Sequence, residues 1–347
     1  MGAQRGSDPR EHERVSVVLA TYNGAAYLPE QLASLCAQAV LPDEVVVIDD
    51  ASSDATPDLL RRFADAAPFP VDLVLREEHL GTWTTFEEGL RLATGDIIFI
   101  CDQDDIWRPE KLAVMADRMA GQPEALMAFS DANLIAADGR LIGRSRWRVA
   151  GFSPRQSRAV SLDPFGPLLS RQAVSGCTMA IRSELLAALL PFPIDIHPGL
   201  PVMMYDRWIS LVAAAAAPVI AVPERLVDYR IHPAQQIGIP ALPIRRLVPQ
   251  AALHGAQFLH GHAEVTRRME YHLAHFDEID KRLIVGQLDT PDSVGRLADA
   301  RRHLRFRCGL DRRRRVRVWA VAEEMRRVDG YRRFSLGAAS AMADVAR

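Results

Sequence analysis

Between residues 15 and 131, short β-branched runs alternate with stretches of helical periodicity, an order that few folds accept. Repeated βα units of this kind build a parallel sheet with crossover helices. The predicted strands cover residues 15–20, 44–48, 71–75, 96–101 and 125–130. Helices are predicted near 29–38, 56–67, 85–93 and 109–119, with Ser53-Asp54-Ala55-Thr56 and Pro109-Glu110 as start signals. The first, second and fourth strands are nearly continuous apolar runs, as expected when helices cover both faces of the sheet. Asp72 interrupts the third, which suits an edge.

The second half is less regular. Residues 140–175 hold Arg146, Arg148 and prolines at 154, 164 and 167, and are expected to form a long loop with little regular structure. A strand near 177–181, helices over 183–190 and 206–217, and a strand near 218–222 follow. Prolines at 240, 243 and 249 predict a linker into a helical C-terminal region. A chain of 347 residues, 48% hydrophobic and 25% charged, has room for about two domains of ordinary size.

Several classes are excluded. The longest apolar stretch, residues 211–222, contains Pro218 and falls short of the roughly 20 residues that span a bilayer. The polar N-terminus MGAQRGSDPREHER has no apolar core of a secretory signal, so a disordered tail and a cytoplasmic protein are expected. Cys36, Cys101, Cys177 and Cys308 show no C-x-x-C spacing, which indicates neither zinc nor disulfides.

The stretch ICDQDDIW sets Asp102, Asp104 and Asp105 directly after an apolar strand. Two unit charges about 4 Å apart repel by roughly 1 kcal/mol in water and about 4 kcal/mol at a protein surface, so something must offset the crowding. In open α/β sheets, ligands bind outside the carboxyl ends of the strands, where the strand order reverses. Thr21-Tyr22-Asn23, Asp49-Asp50 and the acidic run all follow strands at that edge. In an extended segment residues i and i+2 point the same way, so Asp102 and Asp104 are expected to aim at one point. A hard divalent cation, Mg²⁺ or Mn²⁺, would relieve their repulsion and bridge substrate phosphates. The alternative is that the aspartates cap the helix near Pro109 and sit in water. ATYNGAAYL matches neither the G-x-G-x-x-G of a dinucleotide fold nor a P-loop. A haloacid-dehalogenase-like phosphatase would carry its D-x-D after strand one, not strand four.

VSVVLATYNGAAYLPEQLASL, EVVVIDDASSDAT, GDIIFICDQDDIWRPEKL, VSGCTMAI, YDRWISLVA and VDYRIHPAQQIG, in that order, resemble the motifs of family 2 glycosyltransferases with the GT-A fold, particularly the bacterial rhamnosyltransferase-like branch. The resemblance runs from about residue 14 to 238. It implies a Rossmann-like, mostly parallel α/β sheet with helices on both faces and a helical C-terminal extension. The implied division is a tail over 1–13, a catalytic domain over 14–239 and a basic helical region over 240–347. It further implies that Thr21, Tyr22 and Asn23 line the nucleoside pocket and that Asp50 hydrogen-bonds the base. Asp104 would bind Mg²⁺ or Mn²⁺, with Asp102 assisting or contacting ribose and His232 approaching the metal or diphosphate. Asp206 takes the position of the general base, and direct displacement would invert the anomeric configuration.

This chain departs from the branch in several places. Tyr205 and Arg207 flank Asp206 where the branch has His and Trp, and Asp206 has a second reading as a helix cap. Thr84, Thr85, Glu87 and Glu88 stand where relatives often show Arg and Asn, and Gln235 and Gln236 where Asn is common. Gly176 and Cys177 either border the donor pocket or are ordinary strand residues. Trp107 either floors the sugar site or packs in the core.

The net charge of −2 conceals an asymmetry, because residues 301–347 carry 14 Arg against 5 acids. Residues 301–317 alone hold nine arginines and one acid, followed by Val318, Val321, Ala322 and Met325 at helical spacing. Three readings compete: a solvated face, peripheral attachment to an anionic membrane at the inner face of the cell, and nucleic-acid binding, the least expected. The apolar stripe has two further readings, packing on the catalytic domain or on a second subunit. Histidines 254, 260, 262, 272 and 275 are expected at solvent-facing helical positions. The expected partners are a nucleotide-sugar donor and a glycan or lipid-linked acceptor.

Overall fold

The computed structural model describes residues 13–194, 203–235, 262–310, 314–327 and 330–334, with 340, 341 and 344. The expected tail and proline-rich linker lie outside these residues, apart from residue 13. The first βα units form as the periodicity predicts: β1 (Val15–Thr21), α1 (Leu28–Cys36), β2 (Glu44–Asp49), α2 (Thr56–Ala66), β3 (Val71–Leu75), α3 (Thr82–Leu92) and β4 (Ile97–Cys101). Then come β5 (Ile106–Trp107), α4 (Lys111–Ala120), β6 (Met127–Ala136), β7 (Leu141–Ser145), α5 (Arg146–Ala150), α6 (Pro154–Val160) and α7 (Phe165–Ser170). The remainder is β8 (Met179–Arg182), α8 (Leu186–Leu189), α9 (Tyr205–Ala216), β9 (Val219–Ile231), α10 (His262–Val285), α11 (Pro291–Cys308), α12 (Arg314–Arg327) and α13 (Gly330–Phe334).

One sheet in the order β3-β2-β1-β4-β8-β6-β9-β5 organises the chain, with β7 paired to β6. β3, β2, β1 and β4 are mutually parallel, and β3 forms the edge. β8 runs antiparallel between β4 and β6. Alternating side chains feed two cores, as the two-residue period of a strand requires. Val18, Val46, Ile48, Ile98 and Ile100 are buried on one face, while Val17, Leu19, Val45, Val47, Ile97 and Phe99 are buried on the other. The chain builds β2 and β3 to one side of β1 and then crosses to β4 on the other. The strand order therefore reverses at β1.

Three expectations are corrected. Residues 140–175 are not a structureless loop, since they form β7 and α5 to α7. Ser145 accepts the Arg148 N–H at the start of α5, Ser153 and Gln156 close a capping box on α6, and the rings of Trp147 and Phe152 pack on Phe129. The strand expected at 218–222 continues to Ile231 past Pro223. The register against β6 shifts between the Val222–Ser130 and Arg225–Asp131 pairs, so the proline, which has no N–H to give a ladder, falls at the irregularity. The strand expected at 125–130 extends to Ala136 and lies between β8 and β9.

The C-terminal helices share a core with the sheet. Met269, Phe276, Ile279, Leu283, Leu297 and Leu304 are buried in the same cluster as Val18 and Trp208, and the Phe165 and Phe276 ring centroids are 5.3 Å apart. Much of the basic character is internally neutralised. Arg301 lies 3.1 Å from Asp277 and 2.9 Å from Asp280, Arg307 pairs with Asp344, and Arg333 reaches Asp163 and Asp299. His275 is 3% exposed, not solvent-facing, because α10 turns it inward with Phe276. His254, His260 and the His262 side chain lie outside the described residues. The apolar stripe after residue 317 splits, with Val321 buried and Val318 and Met325 exposed. None of the described helices is long and apolar enough to cross a membrane.

Candidate active site

The three polar loops meet at the reversal point and are stitched together by side chains. Thr21 donates its hydroxyl to Asp49 Oδ1 at 2.7 Å, and Asp49 in turn accepts the Ser52 N–H and hydroxyl at 2.9 and 2.6 Å. Asn23 adopts φ 48° and its Oδ1 accepts the Ser53 N–H. Thr21 and Asn23 therefore fix the loops after β1 and β2 against each other. Gln103, in the middle of the acidic run, makes a two-point amide contact with Tyr22, accepting its N–H at 2.8 Å and donating to its carbonyl at 3.0 Å. The approach is so close that a Cβ on Gly24 would stand 2.2 Å from Gln103 Oε1. Tyr22 keeps its ring exposed, stacked on His79 with centroids 4.0 Å apart and an interplanar angle of 29°.

Asp50 is buried and fully engaged by the protein. Its Oδ1 accepts Arg76 Nη1 and the Leu80 N–H, both at 2.9 Å, and its Oδ2 accepts the Gly81 N–H at 2.7 Å and lies 2.9 Å from His79 Nδ1. Burial opposes ionisation, but the Leu80 N–H, Arg76, the Gly81 N–H and His79 together hold the carboxyl below the usual carboxylate range. Arg76 also binds Glu88, Thr85 and the Thr84 carbonyl, so the Thr85 and Glu88 departures in α3 serve to seat this arginine, while Glu87 binds Arg91 and the Phe192 N–H.

The acidic run is a turn, not an extended segment, and this changes which carboxylates meet. Residues 103 and 104 turn the chain. Among the described residues, ligand atoms of Asp102, Asp105 and Cys177 all lie within 4.8 Å of one another, instead of the expected set of Asp102, Asp104 and His232. Asp104 faces His232, with Oδ2 2.7 Å from Nε2. Burial first, then the Asp104 charge, pushes Asp102 up to about 7, opposed by the Tyr205 hydroxyl and the Cys177 amide. Burial and the charges of Asp104 and Asp102 push Asp105 well up. Asp105 Oδ1 accepts the Arg230 N–H at 2.9 Å, while its Oδ2 and His232 Nδ1 are buried with no hydrogen-bond partner. Crowded carboxylates with an orphaned oxygen fit a hard oxygen-seeking cation. Burial also raises the Cys177 thiol well above its ordinary pKa, and a protonated soft thiol does not fit Mg²⁺ or Mn²⁺.

Of its two readings, Trp107 takes the one in the core. It is 2% exposed, because β5 pairs with β9 and turns the indole inward against Phe99. Above the indole lies Lys111, with Nζ 3.1 Å from the ring centroid and donating to the Cys177 carbonyl at 2.6 Å. Burial lowers the Lys111 pKa to about 7, against the opposing pull of Cys177, Cys101, Asp105 and Asp102.

Asp206 occupies the first turn of α9, where its Oδ1 accepts the Arg207 N–H at 2.6 Å. The N-cap itself is Met204, so Asp206 binds its own turn from inside the helix. Burial raises its pKa, and the Arg207 amide, Arg146, the Arg207 charge and the Gly176 amide oppose the rise. Arg207, where the branch has Trp, reaches the Leu168, Leu169 and Arg171 carbonyls at the end of α7. Tyr205 donates its hydroxyl to Asp102 Oδ1 at 3.0 Å, and Gly176 lacks the Cβ that would stand 2.0 Å from that hydroxyl. The Cys177 side chain is buried with its sulfur near Asp102 and Asp105, while the Cys177 and Gly176 amides face Asp102 and Asp206.

Sequence reasoning missed Gln103, Arg76, Tyr205 and Arg230. Arg230 is 1% exposed and donates to the Asp104 and Ala137 carbonyls at 2.8 and 3.0 Å and to Glu30 at 3.0 Å. The sequence offered little signal for it, because β9, VIAVPERLVDYRI, also carries Glu224, Arg225 and Asp228.

A mixed α/β sheet whose order reverses at β1, with acidic loops at its carboxyl edge and a helical extension on one face, fits the GT-A type of fold that the motif resemblance implies. Residues 16–159 match the family model described as glycosyl transferase family 2. The chain is 28% identical over 261 residues to an uncharacterized protein of Mycobacterium tuberculosis, covering 72% of this chain and 70% of the relative. It is 26% identical to an uncharacterized glycosyltransferase of Nostoc, covering 63% and 65% of the two chains, and 34% identical to the succinoglycan biosynthesis protein ExoO of Rhizobium meliloti, covering 36% and 35%. Among solved structures, S. aureus TarS in complex with UDP-GlcNAc aligns with 96% of this chain and 89% of its own at 17% identity and TM-score 0.49. This chain is a glycosyltransferase, and its matched region is of family 2.

Proposed function

We propose that the chain is an inverting, metal-dependent transferase moving a sugar from a nucleotide donor to a cell-surface polysaccharide or lipid-linked glycan precursor. Support comes chiefly from one observation: the loops after β1, β2 and β4 are bonded into a single edge that crowds Asp102, Asp104 and Asp105 beside Asp206. The donor is taken as dTDP-rhamnose from the likeness of the six motifs to the rhamnosyltransferase-like branch, and a UDP-hexose is the competing donor. Tyr22 and His79 offer the nucleoside an exposed stacking face. For Asp50 to accept a base N–H, the half-exposed His79 must yield its contact. Asp102, Asp104 and Asp105, with His232 beside Asp104, would hold Mg²⁺ or Mn²⁺, which supplies charge stabilisation at the departing diphosphate. Asp206 takes the proton of the acceptor hydroxyl as its oxygen bonds the anomeric carbon and the bond to the diphosphate breaks.

The test is a panel of nucleotide sugars with Mn²⁺ or Mg²⁺, reading nucleoside diphosphate release and sugar transfer. One donor should be consumed, and Asp104→Ala should lose at least about 10²-fold in rate. Equal turnover by Asp104→Ala in EDTA would remove the metal from the proposal. Asp102 and Asp105 hold protons in the folded chain that an unfolded chain has already released. Metal-free stability therefore falls as pH rises from the ordinary carboxylate range toward 7, and a cation that replaces those protons binds better at higher pH. The Mn²⁺-induced rise in Tm should accordingly be larger at about pH 7.5 than at about pH 5.5.

The division at residues 239 and 240 and attachment at the inner face of the membrane belong to the same proposal. For attachment, Arg305 and the 69% exposed Trp319 are among the exposed basic and apolar groups that the described helices still present. Sedimentation with anionic but not neutral liposomes, reversed by salt, would support attachment, and equal binding to both would end it.

A further inference from the structure

Tyr205 and Asp206 are consecutive on the first turn of α9, and Gly176 and Cys177 are consecutive in the turn opposite them. The contacts between them form a closed circuit. The Tyr205 hydroxyl donates to Asp102 at 3.0 Å, the Cys177 amide faces Asp102, and the Gly176 amide faces Asp206. Tyr205 is 4% exposed, and its ring lies on Phe86 with centroids 4.2 Å apart. No long flexible side chain interrupts the circuit, so the separation of the base from the acidic run is set by one ring and one turn of backbone.

We propose that Tyr205 is a positioning residue of the transfer reaction, fixing the Asp206 carboxylate relative to the acidic run through its hydrogen bond to Asp102. The role depends on Asp206 being the base. A displacement of about 1 Å in a reacting group can cost about 10²-fold in rate without weakening substrate binding. Tyr205→Phe keeps the ring and removes only the hydroxyl. In the full chain with Mn²⁺ and donor, its kcat should fall about tenfold, the loss of one hydrogen bond to a charged group, with KM for the donor within about twofold of wild type. Gly176→Ala, whose Cβ would stand 2.0 Å from the Tyr205 hydroxyl and 2.8 Å from the ring carbon that bears it, must displace the ring and should lower kcat at least as far.

Because Tyr205 acts through Asp206, adding Tyr205→Phe to Asp206→Asn should lower the residual rate by less than about twofold. Melting curves confirm that each variant is folded. Unchanged kcat in Tyr205→Phe, or the same tenfold loss in the Asp206→Asn background, overturns the positioning role while Asp206 stands as base. Wild-type transfer by Asp206→Asn instead overturns the base assignment, and the role of Tyr205 with it.

Discussion

Asp206→Asn is expected to lower the rate of sugar transfer by about 10²- to 10⁴-fold while leaving the nucleotide sugar bound. The amide has nearly the same shape, and its one oxygen can still accept the Arg207 N–H that holds the carboxylate. What it cannot do is take a proton, and general-base catalysis by a positioned side chain is worth about 10²- to 10⁴-fold. Burial raises the Asp206 pKa toward the range useful in a base, so wild-type kcat should climb with pH along a limb above the ordinary carboxylate range, as the carboxyl loses its proton. The Asn variant should lack that limb. Initial rates across pH, with donor affinity from calorimetry, separate the two effects. Undiminished transfer by the variant, or a loss confined to donor affinity, would remove Asp206 from the chemistry.

Arg230→Ala should be the most destabilising single change at the site. Its guanidinium joins three segments that are distant in sequence: Glu30 on α1, the Asp104 carbonyl in the acidic run and the Ala137 carbonyl after β6. It also lies over the Tyr27 ring, 4.8 Å from the centroid. Truncation strands two carbonyls and a carboxylate. A fully buried pair would cost about 3–5 kcal/mol to break, and the exposure of Glu30 places this one near the lower end, about 3 kcal/mol. At about 2–4 °C per kcal/mol for a chain of this size, Tm should fall by about 6–12 °C. Melting in EDTA measures this without interference from cation binding. A Tm within about 1 °C of wild type would show that the three segments hold together without the arginine.

The strands near the N-terminus were legible because each is an uninterrupted apolar run bounded by turn residues, and that pattern has one stable solution in a covered parallel sheet. The chemistry-bearing loops were legible for a related reason. Once β1, β2 and β4 are parallel, Thr21, Asp49 and Asp102 must emerge at the same edge. The Arg146 to Ser170 helices were not, because each is one or two turns long; serine caps hold the first two, Trp147 packs on Phe129 of β6, and Phe165 of the third packs on Phe276. Nor was the full length of β9, whose continuation past Pro223 depends on an irregularity shared with β6.

The sequence by itself determined the layered α/β architecture, the edge where ligands gather and the residue types assembled there, because hydrophobic period and strand direction are local properties of the chain. Only the tertiary structure decided which of those groups meet. It turned the acidic run so that Asp102 approaches Asp105, closed Asp50 with Arg76 and His79, and sent Trp107 into the core. It also used arginines of the basic tail in ion pairs with acids from other helices. A side chain's partners depend on backbone turns and on elements far along the chain, and no spacing in the sequence encodes those distances.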